Sequence, residues 1–131
     1  VKWAINNEPI MVYGDGQQQR CFANVNDVVH AIHLLSEAPD AIGQVFNIGS
    51  SEEVSIYELA DRVRQRAGSS SEIKVIPYEE AYEAGFEDFR RRVPALDKIC
   101  GLVEWKPTTS LDDTIDQIIA YHREEKAHGG N

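Results

Sequence analysis

The stretch of residues 12–31 constrains the fold more than any other part of the chain. It begins within an apolar run, Ile10–Tyr13, whose β-branched and aromatic residues are typical of a strand. Gly14 and Gly16 interrupt this run and permit the positive φ angles of a tight turn. Arg20 follows the turn among apolar residues, just before a helical pattern begins. Because the turn would hold this cation beside buried residues, we predict that the stretch binds an anion.

Size and composition are those expected of one globular domain. The chain has 131 residues, of which 42% are hydrophobic and 27% are charged. Its net charge of −9 argues against a nucleic-acid partner, because phosphate backbones bind basic surfaces. One anionic ligand remains compatible with that charge, since the local field of a pocket can oppose the charge of the whole molecule.

The sequence contains no sign of export or of membrane insertion. No apolar run approaches the ~18 residues of a membrane span, and no signal peptide is visible. Cys21 and Cys100, both in apolar surroundings, are interpreted as reduced thiols. We therefore expect a cytoplasmic protein without a membrane partner. Since the chain begins at Val1 rather than at a methionine, we also expect a fragment or a trimmed product.

Apolar periodicity and turn residues predict about four helices and four or five short strands. The predicted helices cover residues 1–7, 27–35, 55–67 and 111–121. Ser55 and Glu58 suit a capping box at the start of the third helix, and Gly68 suits its end. Residues 44–48 and Ile73–Ile76 are predicted strands, the first of them largely buried.

The second and fourth helices carry their own signals. Asn26 or Asp27 is suited to cap the second helix, and Thr109 or Ser110 the fourth. Apolar residues of the second helix recur at helical spacing and predict one buried stripe. This stripe consists of Val28, Ala31, Ile32 and Leu35.

Two polar patterns have both a functional and a structural interpretation. His30 and His33 are spaced to share a metal ion, but no carboxylate or cysteine stands at a matching spacing, so solvated helix histidines are favoured. The acidic stretch 78–88 contains paired carboxylates that suit acid–base chemistry or a cation site. A solvated face is favoured there too, because no Asp/Asn-Gly loop spacing accompanies the carboxylates. We therefore predict no metal site.

Two segments resemble signatures of one enzyme family. Residues 12–28 follow the pattern VYGDGxQxRxFxxVxDV, which resembles the segment that opens the carboxy-terminal part of NAD-dependent nucleotide-sugar epimerases and dehydratases, the extended short-chain dehydrogenases. Arg92-x-Pro94-x-x-x-Lys98, followed by a tryptophan-x-proline turn, is similar to a second signature of that family. The family usually has aspartate where this chain has Ala95, so we expect a weakened cap on the short helix that follows.

The resemblance implies a nucleotide-sugar ligand and assigns residues to it. Arg20 and Arg92 would clamp the diphosphate through charge-assisted, potentially bidentate hydrogen bonds. Val12 and Tyr13 would line the base site, with Gln18 nearby on the turn. In the resembled enzymes, NAD takes a hydride from the sugar and returns it after the keto intermediate has been epimerised, dehydrated or decarboxylated.

The chain lacks two motifs that this chemistry uses. The dinucleotide motif GxGxxG is absent, because Gln19 stands where its third glycine would be. No tyrosine has a lysine four residues later, which is the proton-transfer pair of the extended reductases. We therefore expect the catalytic residues to lie in a missing N-terminal Rossmann domain, and we expect no NAD to bind to this chain alone.

The predicted fold class is α/β, a small mixed α/β substrate-binding domain over residues 1–123 with a frayed tail over residues 124–131. One helix–strand unit, which ends in the strand at 44–48, would belong to the missing Rossmann sheet. The open edges of that strand suit self-pairing, so we expect a homo-oligomer that buries Val45 and Phe46.

Other interpretations stay open at this point. One alternative is a stand-alone binding or interaction module that reuses the fold without catalysis. A weaker one is a purely structural acidic helix–strand domain. For the arginines, the alternative to a clamp is that Arg92, with Arg90 and Arg91, only balances the acidic stretch 79–88.

Overall fold

Two two-stranded sheets and six α-helices make up the residues that the computed structural model describes, 1–81 and 88–128. The helices are α1 (Lys2–Ile5), α2 (Val25–Glu37), α3 (Ile56–Arg66), α4 (Tyr78–Ala81), α5 (Asp97–Val103) and α6 (Leu111–His128). The strands are β1 (Ile10–Tyr13), β2 (Gln19–Cys21), β3 (Glu53–Ser55) and β4 (Ile73–Ile76), and a 3₁₀ turn spans Pro39–Ala41. The mixed α/β class is confirmed, as are the strands predicted where β1 and β4 lie.

The predicted glycine turn connects the two sheets. β1 pairs with β4 in parallel, and β2 pairs with β3 antiparallel, so that Arg20 lies opposite Val54. Between β1 and β2, Gly14 has a φ angle of +77°. The Tyr78 ring approaches Gly14 so closely that a Cβ at this position would lie 2.5 Å from a ring carbon. Glycine is therefore required here both by the backbone conformation and by the space available.

The main apolar core lies where α1, α3 and α6 pack with β1 and β3. Val12 and Val54 are almost completely buried in it. Ala60 and Val63 of α3 are buried in the same core. A second, smaller cluster joins α2, α5 and the segment that precedes α6. The buried residues of this second cluster are Ala31, Ile99 and Trp105.

The helix caps follow the prediction in two cases and depart from it in one. Ser55 accepts a hydrogen bond from the Glu58 N–H at 3.0 Å and caps α3. Ser110 accepts one from the Asp113 N–H, also at 3.0 Å, at the start of α6. In contrast, α2 begins earlier than predicted, at Val25, and its cap is Asn24.

Asp27, one of the two predicted caps, instead anchors α2 to the segment before α6. Its carboxylate accepts hydrogen bonds from the Thr108 hydroxyl at 2.8 Å and from the Thr109 N–H at 3.0 Å. Its backbone carbonyl accepts a third from the Trp105 ring at 3.1 Å. Burial by itself opposes ionisation of Asp27, but the hydrogen bonds from the two threonines outweigh it and lower the pKa of this carboxyl.

Replacing Asp27 by alanine is expected to lower the free energy of unfolding by about 2–3 kcal/mol, because two donors lose a charged acceptor. The difference should shrink in acid. Since the folded-state pKa of Asp27 is lowered, its contribution is present above the pKa of an unfolded aspartate, about 3.9, and is lost as the pH falls through the folded value. Urea unfolding at neutral and acidic pH measures both effects. The exposed Asp40→Ala variant is the control, and equal stability of wild type and Asp27→Ala at neutral pH would contradict the assignment.

Residues 44–48 do not form the predicted strand. A strand is held by backbone hydrogen bonds to a neighbour, and in the described part of the chain no strand lies beside this segment. Val45 is 84% exposed, and its carbonyl accepts a hydrogen bond from the Lys98 ammonium. Phe46 packs on the second cluster, with the Lys98 nitrogen 4.6 Å from its ring centre. The predicted helix–strand unit is therefore a helix followed by an irregular segment.

Three other helical predictions are corrected. There are six helices in the described residues instead of about four: α5 is the short helix that the resemblance implied after Pro94, whereas α4 is too short to show a clear apolar period. α6 continues beyond its predicted end at residue 121, since Arg123 donates to the Ala67 carbonyl and Lys126 to the Asn6 side chain. Residues 124–128, predicted as a frayed tail, therefore lie in this helix, and residues 129–131 are outside the described part. The stripe predicted for α2 is only partly buried, because Ala31 lies in the second cluster but Ile32 is exposed.

Candidate functional site

Arg20 lies in β2, and its guanidinium lies against Asp88 and Phe89. Its Nη1 donates to the carbonyl of Gln19 at 2.7 Å and to that of Phe89 at 2.8 Å. Its Nη2 donates to a carboxylate oxygen of Asp88 at 2.6 Å. The side chain is 18% exposed. Arg20 thus follows the turn as predicted, but its apolar neighbours are not buried as expected, since Cys21 is half-buried and Phe22 and Val25 are exposed.

Backbone pairing brings the second arginine segment next to the first. The Gln19 N–H donates to the Arg90 carbonyl at 2.8 Å, and the Arg92 N–H donates to the Gln19 carbonyl at 3.3 Å. Residues 90–92 therefore run alongside the start of β2, parallel to it. Two segments that are far apart in the sequence are adjacent in the fold for this reason.

The three arginines of that segment have different partners. Arg90 pairs with Asp15 at 2.5 Å. Arg91 donates two hydrogen bonds of 2.7 Å to Glu53, and these bonds lower the pKa of that carboxyl. The Arg92 guanidinium lies over the Phe89 ring, 4.6 Å from its centre, and pairs with no carboxylate in the described residues. Arg90, Arg91 and Arg92 therefore form no ion pair with the described acidic residues 79, 80 and 88. The carboxylate partners of this triplet are Asp15 and Glu53.

Arg20 and Arg92 line the same cavity, which has a volume of about 540 Å³. The other lining residues are Cys21, Arg91, Val93 and Pro94. Burial and the neighbouring Glu53 raise the pKa of the Cys21 thiol, so the cavity keeps its positive charge without a nearby thiolate. The structure thus brings the two predicted arginines together, while their role toward a ligand stays a prediction.

The three other predicted site residues lie at different depths. Val12 is 1% exposed as a whole residue and belongs to the main core, so it offers almost no surface to a ligand. Tyr13 is partly exposed and lines a separate cavity with Ile76 and the end of α4. Gln18 is buried and spans the turn, since its Nε2 donates to the Tyr13 carbonyl and to the Tyr78 hydroxyl, each at 3.0 Å.

Tyr78 and Asp88 are site residues that the sequence prediction missed. The Tyr78 hydroxyl donates to the second carboxylate oxygen of Asp88 at 3.2 Å, opposite the oxygen that Arg20 holds. Burial and the charge of Asp88 raise the pKa of Tyr78. Both residues line a cavity of about 600 Å³ together with Gln18 and Arg90. The acidic stretch was predicted to be a solvated face. Asp88 differs because it pairs with Arg20, which is distant in the sequence.

Residues 1–81 and 88–128 contain neither metal-site geometry nor a membrane-spanning helix. No group of three or more His, Cys, Asp or Glu side chains in these ranges is placed to hold a metal ion. His30 and His33 are exposed on α2. None of the helices in the same ranges is both long and apolar enough to cross a bilayer.

Comparison with known proteins gives consistent matches. A family model described as GDP-mannose 4,6 dehydratase matches residues 1–118. The UDP-N-acetyl-alpha-D-glucosaminuronate decarboxylase of Bacillus cytotoxicus is 36% identical over 125 residues, which are 95% of this chain and 38% of that protein. The UDP-glucose 4-epimerase of Thermotoga maritima, solved with UDP-glucose, superposes with a TM-score of 0.83 at 25% identity, over 95% of this chain and 38% of the other.

A further solved structure has the same fold. The UDP-glucuronic acid 4-epimerase of Bacillus cereus, solved with NAD, superposes with a TM-score of 0.78 at 23% identity, over 94% of this chain and 37% of the other. The chain thus spans less than two-fifths of each of these three proteins. The family match, in contrast, extends over nearly the whole of this chain. The chain therefore belongs to the GDP-mannose 4,6-dehydratase family of NAD-dependent epimerases and dehydratases and corresponds to part of such a protein.

Proposed function

We propose that this chain is the nucleotide-sugar-binding portion of an NAD-dependent sugar epimerase, dehydratase or decarboxylase. The observation that carries the proposal is the cavity lined jointly by Arg20 and Arg92. A nucleotide-sugar presents its diphosphate as the main anionic group, and the planar fork of arginine matches phosphate oxygens. Two arginines on one wall can therefore hold a diphosphate from two directions.

The local charge supports an anion in this cavity in spite of the net charge of −9. Three arginines line the cavity, and no carboxylate does so in the described part of the chain. Arg91 shares its charge with Glu53, and Arg20 shares its charge with Asp88. Arg92 keeps its charge for a ligand, which makes it the principal electrostatic contribution.

The names of the relatives support the class of ligand. The decarboxylase and the two epimerases are each named for a UDP-linked sugar, and one of the epimerases was solved with UDP-glucose. In this chain, the partly exposed Tyr13 would contact the base at the end of β1, whereas Val12 is too deeply buried to do so. Gln18 would hold the turn beside them through its bonds to Tyr13 and Tyr78.

The glycines of this chain do not fit the role of a dinucleotide cradle. In that cradle a glycine turn leads from a strand directly into a helix, whose N-terminus receives the pyrophosphate. Here Gly14 and Gly16 lead from β1 into the strand β2, and the Tyr78 ring covers Gly14. NAD and the catalytic residues therefore belong to an N-terminal Rossmann domain outside this chain.

Exposed apolar side chains on α2 and in the segment that follows it support contact with a Rossmann domain. Val25, Val29 and Ile32 follow one another at helical spacing and are 68%, 58% and 55% exposed. Ile42 and Val45, in the next segment, are each 84% exposed. Apolar surface of this kind is typical of a domain or subunit interface. The Rossmann domain would cover these exposed apolar residues in the whole enzyme.

For the chain alone, a homo-oligomer that buries Val45 stays a prediction. Without a Rossmann domain, the exposed apolar residues are uncovered and available to a second copy of the chain. Phe46 leaves the predicted interface, since it packs on the second cluster. Replacing Val45 by lysine should shift sedimentation toward that of a monomer, whereas Ala120→Lys, at an exposed position of α6, should not. A wild-type chain that sediments as a monomer at high concentration would contradict the prediction.

Calorimetric titration with UDP and with uridine tests the proposed function. UDP should bind this chain, weakly because part of the pocket wall is absent, and uridine should bind far more weakly, since it lacks the diphosphate. The affinity for UDP should fall with added salt, as for other exposed ionic contacts. Equal binding of the two compounds, or no binding of UDP even to the whole enzyme, would overturn the proposal.

A further inference from the structure

We propose that Asp88 is a positioning residue, which holds the Arg20 guanidinium in the orientation that receives the diphosphate. Tyr78 and Gln18 in turn hold Asp88 in place. This inference rests on the proposed function, because it concerns how one arginine of the diphosphate site is oriented.

The hydrogen bonds of Arg20 leave part of its fork available. A guanidinium has five N–H donors in one plane. Two donors of Arg20 bond to the carbonyls of Gln19 and Phe89, and a third bonds to Asp88 at 2.6 Å. The Nε–H is not among the donors of these bonds within the described residues. Three fixed bonds therefore set the plane of the group, while Nε and one hydrogen of Nη2 remain for phosphate oxygens.

Asp88 is itself held from the other side. Its second carboxylate oxygen accepts from the Tyr78 hydroxyl at 3.2 Å, and that hydroxyl accepts from the Gln18 side chain at 3.0 Å. The Tyr78 ring rests on Gly14, where a Cβ would lie 2.5 Å from it. A continuous network thus runs from the glycine turn to Arg20, and each side-chain group in it has a defined neighbour.

The position of the ion pair indicates that Asp88 orients Arg20 and does not compete with a phosphate for it. Asp88 lines the cavity of about 600 Å³ that contains Tyr78 and Gln18, whereas Arg20 lines the arginine cavity of about 540 Å³. A carboxylate that merely stood in for the ligand would occupy the cavity that the ligand enters. Asp88 instead lines the other cavity, so it can stay bonded to Arg20 when a phosphate enters the arginine cavity.

A double-mutant cycle on UDP affinity tests this role in the chain and in the whole enzyme. Asp88→Asn keeps the shape of the side chain and removes its charge, and it should weaken UDP binding by roughly three- to tenfold, as for coupled residues of one network. In an Arg20→Ala background, Asp88→Asn should have no further effect. Asp61→Asn is the matched control, because Asp61 pairs with Arg64 on α3, at residues that line neither cavity.

Unchanged or tighter UDP binding by Asp88→Asn would overturn the inference. Asp88 would then only neutralise the charge of Arg20 or compete with the phosphate for it. A full additional loss in the Arg20→Ala background would also overturn it, since Asp88 would then act independently of Arg20. If neither Arg20→Ala nor Arg92→Ala changes UDP binding, the proposed function fails instead.

A spectroscopic measurement then decides the inference without a ligand. Resolved guanidinium N–H signals of Arg20 should appear in ¹⁵N spectra of the wild type, assigned by their absence from Arg20→Lys. They should be lost in Asp88→Asn and kept in Asp61→Asn. Signals that persist in Asp88→Asn would show that Asp88 does not hold Arg20.

Discussion

Alanine at Arg20 or at Arg92 is expected to weaken nucleotide-sugar binding by the whole enzyme by roughly ten- to a hundred-fold each. Each substitution removes charge-assisted hydrogen bonds to a phosphate, and such bonds are stronger than neutral ones. The two arginines line one cavity, so the same diphosphate is within the reach of both. Calorimetry with UDP on the parent and on each variant measures the loss.

Lysine at either position separates the geometry of the site from its charge. Arg20→Lys and Arg92→Lys should recover only part of the affinity, because a point charge does not reproduce the planar fork. Arg64→Ala removes a surface arginine that pairs with Asp61 and should leave binding unchanged. If both alanine variants bind UDP like the parent, the arginine clamp does not exist.

No epimerase, dehydratase or decarboxylase turnover is expected from the 131-residue chain alone. Hydride transfer needs a bound nicotinamide, and the glycine turn here is covered by Tyr78 and leads into a strand. Proton transfer in the extended reductases uses a tyrosine–lysine pair, and the sequence contains none at that spacing. Incubation with NAD and UDP-glucuronic acid or UDP-glucose, followed by separation of the sugar nucleotides, measures the rate.

The control for this experiment is the same chain joined to an N-terminal Rossmann domain of the family. Turnover should appear only in the joined protein, because the two halves of the site then face each other. Conversion of any nucleotide-sugar by the chain alone would contradict the assignment of catalysis to a separate domain. A joined protein that binds UDP but never turns over would favour the non-catalytic binding module.

Local patterns predicted the elements whose signals lie within a few neighbouring residues. Ser55 and Gly68 mark the ends of α3 correctly, because a cap and a left-handed terminator act on the adjacent turn. The glycine turn before Arg20 was predictable for the same reason. Residues 44–48 were mispredicted because an apolar run specifies a strand only when a partner strand is present, and the described part of the chain supplies none.

The candidate site shows the same division. The sequence by itself determined the two arginines, the turn that precedes Arg20 and the family to which their patterns are similar, since these depend on residue type and spacing. Only the tertiary structure decided that Val12 faces the core, that Asp88 bonds to both Arg20 and Tyr78, and that Arg90 and Arg91 pair with Asp15 and Glu53. These contacts join residues far apart in the chain, and no local pattern specifies which carboxylate a folded backbone brings to which arginine.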